Sequence, residues 1–272
     1  MALYNVLEDP KKKEAKKASE KVLIRRLLEK PLRRDGNRKA IEVINRVANK
    51  SGLSPSFIAA NAMQEGMNLA IMDDSNDQLD TEFPFHLSDG KNASDYPING
   101  YVYYGLDTFG DSVQQLKDKG YLDKNFDFGQ YETMNEKKQK VRTGAFKSHE
   151  DALMAKAAYL REFRDQVREY SEKNKLKLDT KTEDYLTMSA YNGGLSNAKM
   201  MIDELATGKF NPADYVSKGL TSRKGVHKNV APRMEKMDWI SQMFEGPRPP
   251  MDMPKPARTL ADIMFKPPFG KQ

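Results

Sequence analysis

The chain has 272 residues, 38% hydrophobic and 31% charged, with no cysteine and a formal net charge of +6. The lack of cysteine excludes a disulfide framework, a thiolate metal site and a cysteine nucleophile, and no apolar run approaches the roughly 20 residues that cross a bilayer. The length suits one large core with tails.

The charge is unevenly placed. Residues 1–50 hold fifteen Lys/Arg against seven Asp/Glu, which reads either as a basic arm for nucleic acid or an anionic surface, or as a solvated charged helix. Nucleic acid is the weaker partner, because Tyr4 is the sole aromatic there and a single-strand surface needs stacking rings. The opening "MALYNVLEDPKKKEAKKASEK" places its lysines after a weakly apolar start, the reverse of a secretory signal, so no export signal is expected.

In chain order, Val22, Leu23, Ile24, Leu27 and Leu28 have helix-compatible spacing, and "RKAIEVINRVANKSG" sets Ile41, Ile44 and Val47 on one side with Val43 beside them. Gly52 closes that second helix. "LSPSFIAANAMQEGM" opens a third, with Ser54 as N-cap, Pro55 at the first position and Glu65 near its end. From Ala70 to Tyr104 periodicity fades into an acidic stretch, "MDDSNDQLDTEFPFHLSDGKNASDYPING", too long for a simple connection and read as a functional loop or insertion.

Helical pattern returns in "DSVQQLKDKGYL" and in "SHEDALMAKAAYLREFRDQVREY", where Ser148 and Asp151 form a capping-box-like start and Leu153, Ala157, Leu160 and Phe163 an inner face. The stretch "DYLTMSAYNGGLSNAKMMIDEL" follows. There Gly193 and Gly194 stop one helix, Ser196 caps the next, and Met188, Met200 and Met201 read as core. "VHKNVAPRMEKMDWISQMF" predicts a last helix interrupted near Pro232, and the prolines after Glu245 predict an extended tail. No β-rich run stands out. The expected class is mainly α, divided into a basic arm at 1–36, a helical domain at 37–245 and a Pro-rich tail at 246–272.

Three features carry chemistry. Glu65 follows Phe57, Ile58, Ala59, Ala60, Ala62 and Met63; a carboxyl ending a mostly buried helix has its charged form disfavoured, as a general acid near neutrality requires. Read from its helix alone, it is equally a solvent-facing Glu on a polar side. Tyr191 and Asn192 place a phenol and an amide together at a helix end, either in a cleft or as a core tyrosine and a carbonyl-satisfying amide. Asp73, Asp74, Asp77, Asp80 and Asp89 are candidate second carboxylates or solvated loop residues. No metal site is expected: His86, His149 and His227 lie far apart, and "DDSNDQLDTEF" lacks the Gly and Glu of a calcium loop. No cofactor is expected either.

Four blocks in order, "SGLSPSFIAANAMQEG", "YYGLDTFGDSV", "AFKSHEDALMAKAAYLREF" and "LTMSAYNGGLSNAKMMI", resemble the soluble lytic transglycosylases and goose-type lysozymes over roughly residues 40–240. "HKNVAPRMEKM" looks like that family's closing helix with its Tyr-Val pattern altered. The resemblance implies a lysozyme-like helical domain that cleaves peptidoglycan glycan strands. It implies Glu65 as catalytic acid and base, with Tyr191, Asn192, Gly105, Leu106 and Asp107 at the substrate. Three departures accompany it. Gly66 replaces the usual Ser, Gly105-Leu106-Asp107-Thr108 stands for Gly-Leu-Met-Gln, and the Glu65 to Gly105 separation is longer than usual.

By that resemblance the products are 1,6-anhydromuramoyl ends, formed without water. The goose-type branch hydrolyses instead, through a downstream acid such as one of the loop aspartates. A chain without an export signal is expected to reach peptidoglycan as a bacteriophage virion component, its arm and tail docking on other virion proteins, with release as an endolysin through a phage holin as the next option. An inactive lysozyme-like virion structural protein is the alternative from another class.

Overall fold

A computed structural model describes residues 10–76, 98–99, 104–106, 112–127, 129–134, 140–208 and 224–245. The architecture is mainly helical. Helices α1 (Pro10–Leu28), α2 (Ala40–Ser51), α3 (Pro55–Glu65) and α4 (Met67–Asn76) come first, with strands β1 (Pro31–Leu32) and β2 (Arg38–Lys39) between α1 and α2. Strand β3 (Ile98–Asn99), helix α5 (Ser112–Asp118) and strands β4 (Gly129–Met134) and β5 (Lys140–Phe146) follow. Helices α6 (His149–Lys173), α7 (Thr180–Gly193), α8 (Leu195–Ala206) and α9 (Lys224–Glu245) complete the described chain. Among the described residues no helix is long and apolar enough to cross a membrane.

The helices form where local chemistry starts and stops them. In α2 the residues Ala40, Val43, Ile44, Val47 and Ala48 recur at helical spacing and are all buried, while Gly52, at φ 71°, ends the helix with its N–H on the Ala48 carbonyl. Ser54 accepts from the Phe57 N–H at 3.3 Å and Pro55 occupies the first helical position of α3, as its sequence predicts. Every residue of α3 from Ser56 to Met63 is buried, because the helix runs through the middle of the molecule against α2, α6 and α9.

Helix α6 has two caps. Ser148 accepts from the Asp151 N–H at 3.1 Å. Asp35, from the 3-10 turn Arg33–Asp35, accepts from the N–H groups of His149 at 3.1 Å and Glu150 at 2.9 Å. A buried carboxylate from another part of the chain thus satisfies helix donors that have no internal partner.

Several expectations change. Helix α4 extends to Asn76, so the first part of the acidic stretch is helical. Strands β4 and β5 pair antiparallel from Gly129↔Ala145 to Met134↔Lys140, and β3 joins β5, making a three-stranded sheet where no β run was expected. Its signal was the short alternation through Tyr131, Thr133, Val141 and Thr143, broken up by charges. Helix α9 continues through Pro232; Pro232 lies on the exposed face, while Val230, Met234, Met237 and Ile240 anchor the opposite face and hold the helix together despite the missing donor.

Met200 is 43% exposed, and of the three methionines only Met188 and Met201 are core. Ser196 does not cap α8; Gly194, at φ 83°, holds that position, and the Asn197 side-chain amide donates to the Gly193 carbonyl instead. The basic first helix is not wholly an arm, since Ile24, Leu27 and Leu28 join the same core as the later helices while Val22 and Leu23 stay exposed. Asp77, Asp80, Asp89, Asp107 and the tail 246–272 lie outside the described residues, as do the side chains of Asp73 and Asp74 on α4.

Candidate functional site

Glu65 ends α3, and the buried length of that helix fixes its position. Its side chain keeps 22% exposure, beside an Arg233 side chain of only 5%. Arg233 comes from α9, and its Nη2 donates to Glu65 Oε1 in a close ion pair. To the mostly buried helix end expected for Glu65 the structure adds a charged partner 168 residues away in sequence.

The other oxygen, Oε2, points toward Gly105. A Cβ built on Gly105 would stand 2.6 Å from both Cγ and Oε2 of Glu65, so no other residue fits there, and the φ of +57° independently favours glycine. Neighbours on both sides hold this glycine. Tyr104 is fully buried with its hydroxyl 2.5 Å from His149 Nδ1, and Leu106 is 2% exposed. Leu106 was expected at the substrate; its side chain instead belongs to the core and anchors the segment.

Tyr191 meets the same point from the last turn of α7. Its hydroxyl donates to the Gly105 carbonyl. Its ring is held edge-on by Tyr159, at 5.9 Å between centroids, and by Phe163, at 6.3 Å. The Arg233 guanidinium carbon lies 6.0 Å from the ring centre and Lys156 Nζ 3.7 Å from it. Burial, with the Glu65 charge adding to it, pushes the Tyr191 phenol well above its ordinary value, so it acts as a neutral donor.

Asn192 stands next to Tyr191 but donates its amide to the Met188 carbonyl at 2.8 Å. That is the helix-end role open to it from sequence. Toward the opposite ends of α3 and α7, Arg164 pairs with Asp184 and with Glu183 at 3.0 Å, and its guanidinium lies 4.8 Å over the Phe57 ring. These contacts tie α6, α7 and the start of α3 together.

The structure thus brings together Glu65, Gly105 and Tyr191 of the expected residues. It adds Arg233 and Lys156, which sequence reasoning missed. Both had a signal: Arg233 falls between Val230 and Met237, and Lys156 between Leu153 and Leu160, on stripes whose other members are buried. Among the described residues no group of three His, Cys, Asp or Glu side chains is placed to hold a metal ion.

Comparison with known proteins returned no matching family model, no curated relative and no matching solved structure.

Proposed function

We propose that the protein is a lytic transglycosylase of peptidoglycan, with Glu65 as both acid and base. The observation that carries this reading is the convergence of Glu65, the Gly105 backbone and the Tyr191 hydroxyl from three separate segments onto one partly exposed carboxylate. These are the segments whose sequence resembles the transglycosylase blocks.

In the proposed reaction, protonated Glu65 gives its proton to the glycosidic oxygen as the bond to the anomeric carbon breaks. The carbonyl oxygen of the substrate's N-acetyl group bonds to that carbon. Glu65, now a carboxylate, takes the proton of the carbon-six hydroxyl, whose oxygen displaces the acetamido oxygen and closes a 1,6-anhydro ring. Glu65 ends protonated, and no water is consumed. One carboxyl suffices here, where two are normally needed for glycoside hydrolysis. Arg233 holds Oε1, leaving Oε2 for the proton. Tyr191 fixes the Gly105 carbonyl with its hydroxyl, and so the backbone against which Glu65 packs. The setting we propose is a phage particle, with the exposed basic face of α1 as a docking segment for other virion proteins.

Digestion of purified sacculi in water labelled with heavy oxygen tests the reading. Unlabelled anhydro ends are expected; labelled reducing ends would mean hydrolysis of the goose type, and Asp→Asn changes at Asp73, Asp74, Asp77, Asp80 and Asp89 would then find the second carboxyl. The Glu65–Arg233 ion pair favours one second reading, a lysozyme-like virion protein without activity in which the pair is a structural bridge. Intact sacculi after prolonged incubation would establish it.

A further inference from the structure

Lys156 is the least ordinary residue of the molecule. It is fully buried on α6, at 0% exposure, and among the described residues its Nζ has no hydrogen-bond partner. Several surface lysines pair with carboxylates, as Lys50 does with Glu150 at 2.8 Å and Lys119 with Glu162 at 2.5 Å. Lys156 instead stands over the face of Tyr191, 3.7 Å away. An ammonium has three donors, and burying them without an acceptor or a paired anion is among the most unfavourable arrangements a side chain can adopt.

We propose that Lys156 is a positioning residue of the Glu65 site that works as an uncharged amine, bracing the Tyr191 ring and leaving the pairing of Glu65 to Arg233. The inference rests on the function proposed above for its catalytic meaning, though not for its chemistry. Burial holds the amine well below the ordinary lysine value; the Glu65 carboxylate acts against that shift and the Arg233 charge with it. The titratable groups that face it are Glu65 from α3, Arg233 from α9 and Tyr191 from α7, and Tyr159 on its own helix touches the same ring. Among the described residues, the other elements packed on α6, namely α2, α5, α8, β5 and the 3-10 turn, bring no further charge that acts on it.

Two consequences follow from the geometry. A methylene stem and a neutral amine under the Tyr191 ring keep its hydroxyl aimed at the Gly105 carbonyl. A charged ammonium at this place would be a second cation beside Glu65 and would favour its carboxylate form, opposing the protonated form that the first step uses. The neutral amine avoids that.

The test is carbon-13 NMR of the full chain labelled at the lysine ε-carbons, with the Lys156 resonance identified by its loss in Lys156→Met, or in Lys156→Leu if the first variant does not fold. The expected result is a resonance titrating far below the ~10.4 of ordinary lysines and moving lower still in Glu65→Gln, where the opposing carboxylate is gone. Titration together with the surface lysines overturns the proposal, and so does a low titration that ignores Glu65→Gln. In the cleavage assay, Lys156→Met should lower kcat by about tenfold or more with KM little changed, because the Tyr191 ring loses its brace, and an unchanged kcat overturns the positioning role. If wild-type protein cleaves nothing, the transglycosylase reading fails by itself and the NMR comparison alone decides whether Lys156 is neutral and coupled to Glu65.

Discussion

At the scale of single residues, the proposed cleavage depends on Glu65, Tyr191 and Gly105. Glu65→Gln preserves size and lets an amide meet Arg233, but it cannot donate a proton as a carboxylic acid does. Cleavage of sacculi should fall by at least ~10²-fold with little change in melting temperature. Retention of full activity would remove Glu65 from the mechanism. Tyr191→Phe keeps the ring among Tyr159, Phe163 and Lys156 and loses only the donor to the Gly105 carbonyl. Turnover should drop more than stability; the opposite order would make Tyr191 a core residue only. Gly105→Ala introduces a methyl group 2.6 Å from Glu65 Oε2 at a φ of +57°, so it displaces the carboxylate and should lower kcat while the core, built elsewhere, stays folded.

At the scale of elements, helix ends decide where the site residues stand. Helix α6 carries Lys156 and Tyr159, and its start is pinned by Asp35. Removing that carboxylate in Asp35→Ala leaves the His149 and Glu150 N–H groups unpaired in a buried setting, a loss of about 1–3 kcal/mol readable by denaturant titration. Glu150, one residue into the same helix, contacts Arg38 at 2.7 Å and Lys50 at 2.8 Å. Burial opposes its ionisation, but the Lys50 and Arg38 contacts outweigh burial and hold its carboxyl below the usual value. A depressed folded-state value contributes stability above the unfolded-state value and loses it as pH falls through the folded one. The stability difference between wild type and Glu150→Gln should accordingly be present at neutral pH and vanish on acidification. A difference that persists at low pH would assign Glu150 a packing role instead.

At the scale of the whole molecule, every buried side chain described lies between Ile24 and Ser241. Truncation after Glu245 should therefore leave the melting transition within a few degrees of wild type, and an unfolded product would show that the tail contributes to the core. Removal of α1 should behave differently. Ile24, Leu27 and Leu28 are 4% exposed or less, and each such aliphatic side chain contributes about 1.5–3 kcal/mol by burial. Loss of the basic helix should lower stability by several kcal/mol in denaturant, which separates a packed element from a detachable arm.

What the sequence determined by itself was local. The caps at Ser54 and Ser148, the stop at Gly52, the placement of Glu65 at a helix end and of Tyr191 with Asn192 at another all follow from backbone preferences and short-range hydrogen bonds. Helical class followed for the same reason, since period and capping are written within a few residues. What only the tertiary structure decided was which side chains meet. Arg233 on Glu65, Lys156 beneath Tyr191, Asp35 on the start of α6 and the Gly105 backbone against the carboxylate each join segments far apart in the chain. Burial and charge pairing act through space, so a Lys or Arg on an apolar stripe reads as an anomaly in sequence. Packing of α3, α6, α7 and α9 around it turns that anomaly into part of a site.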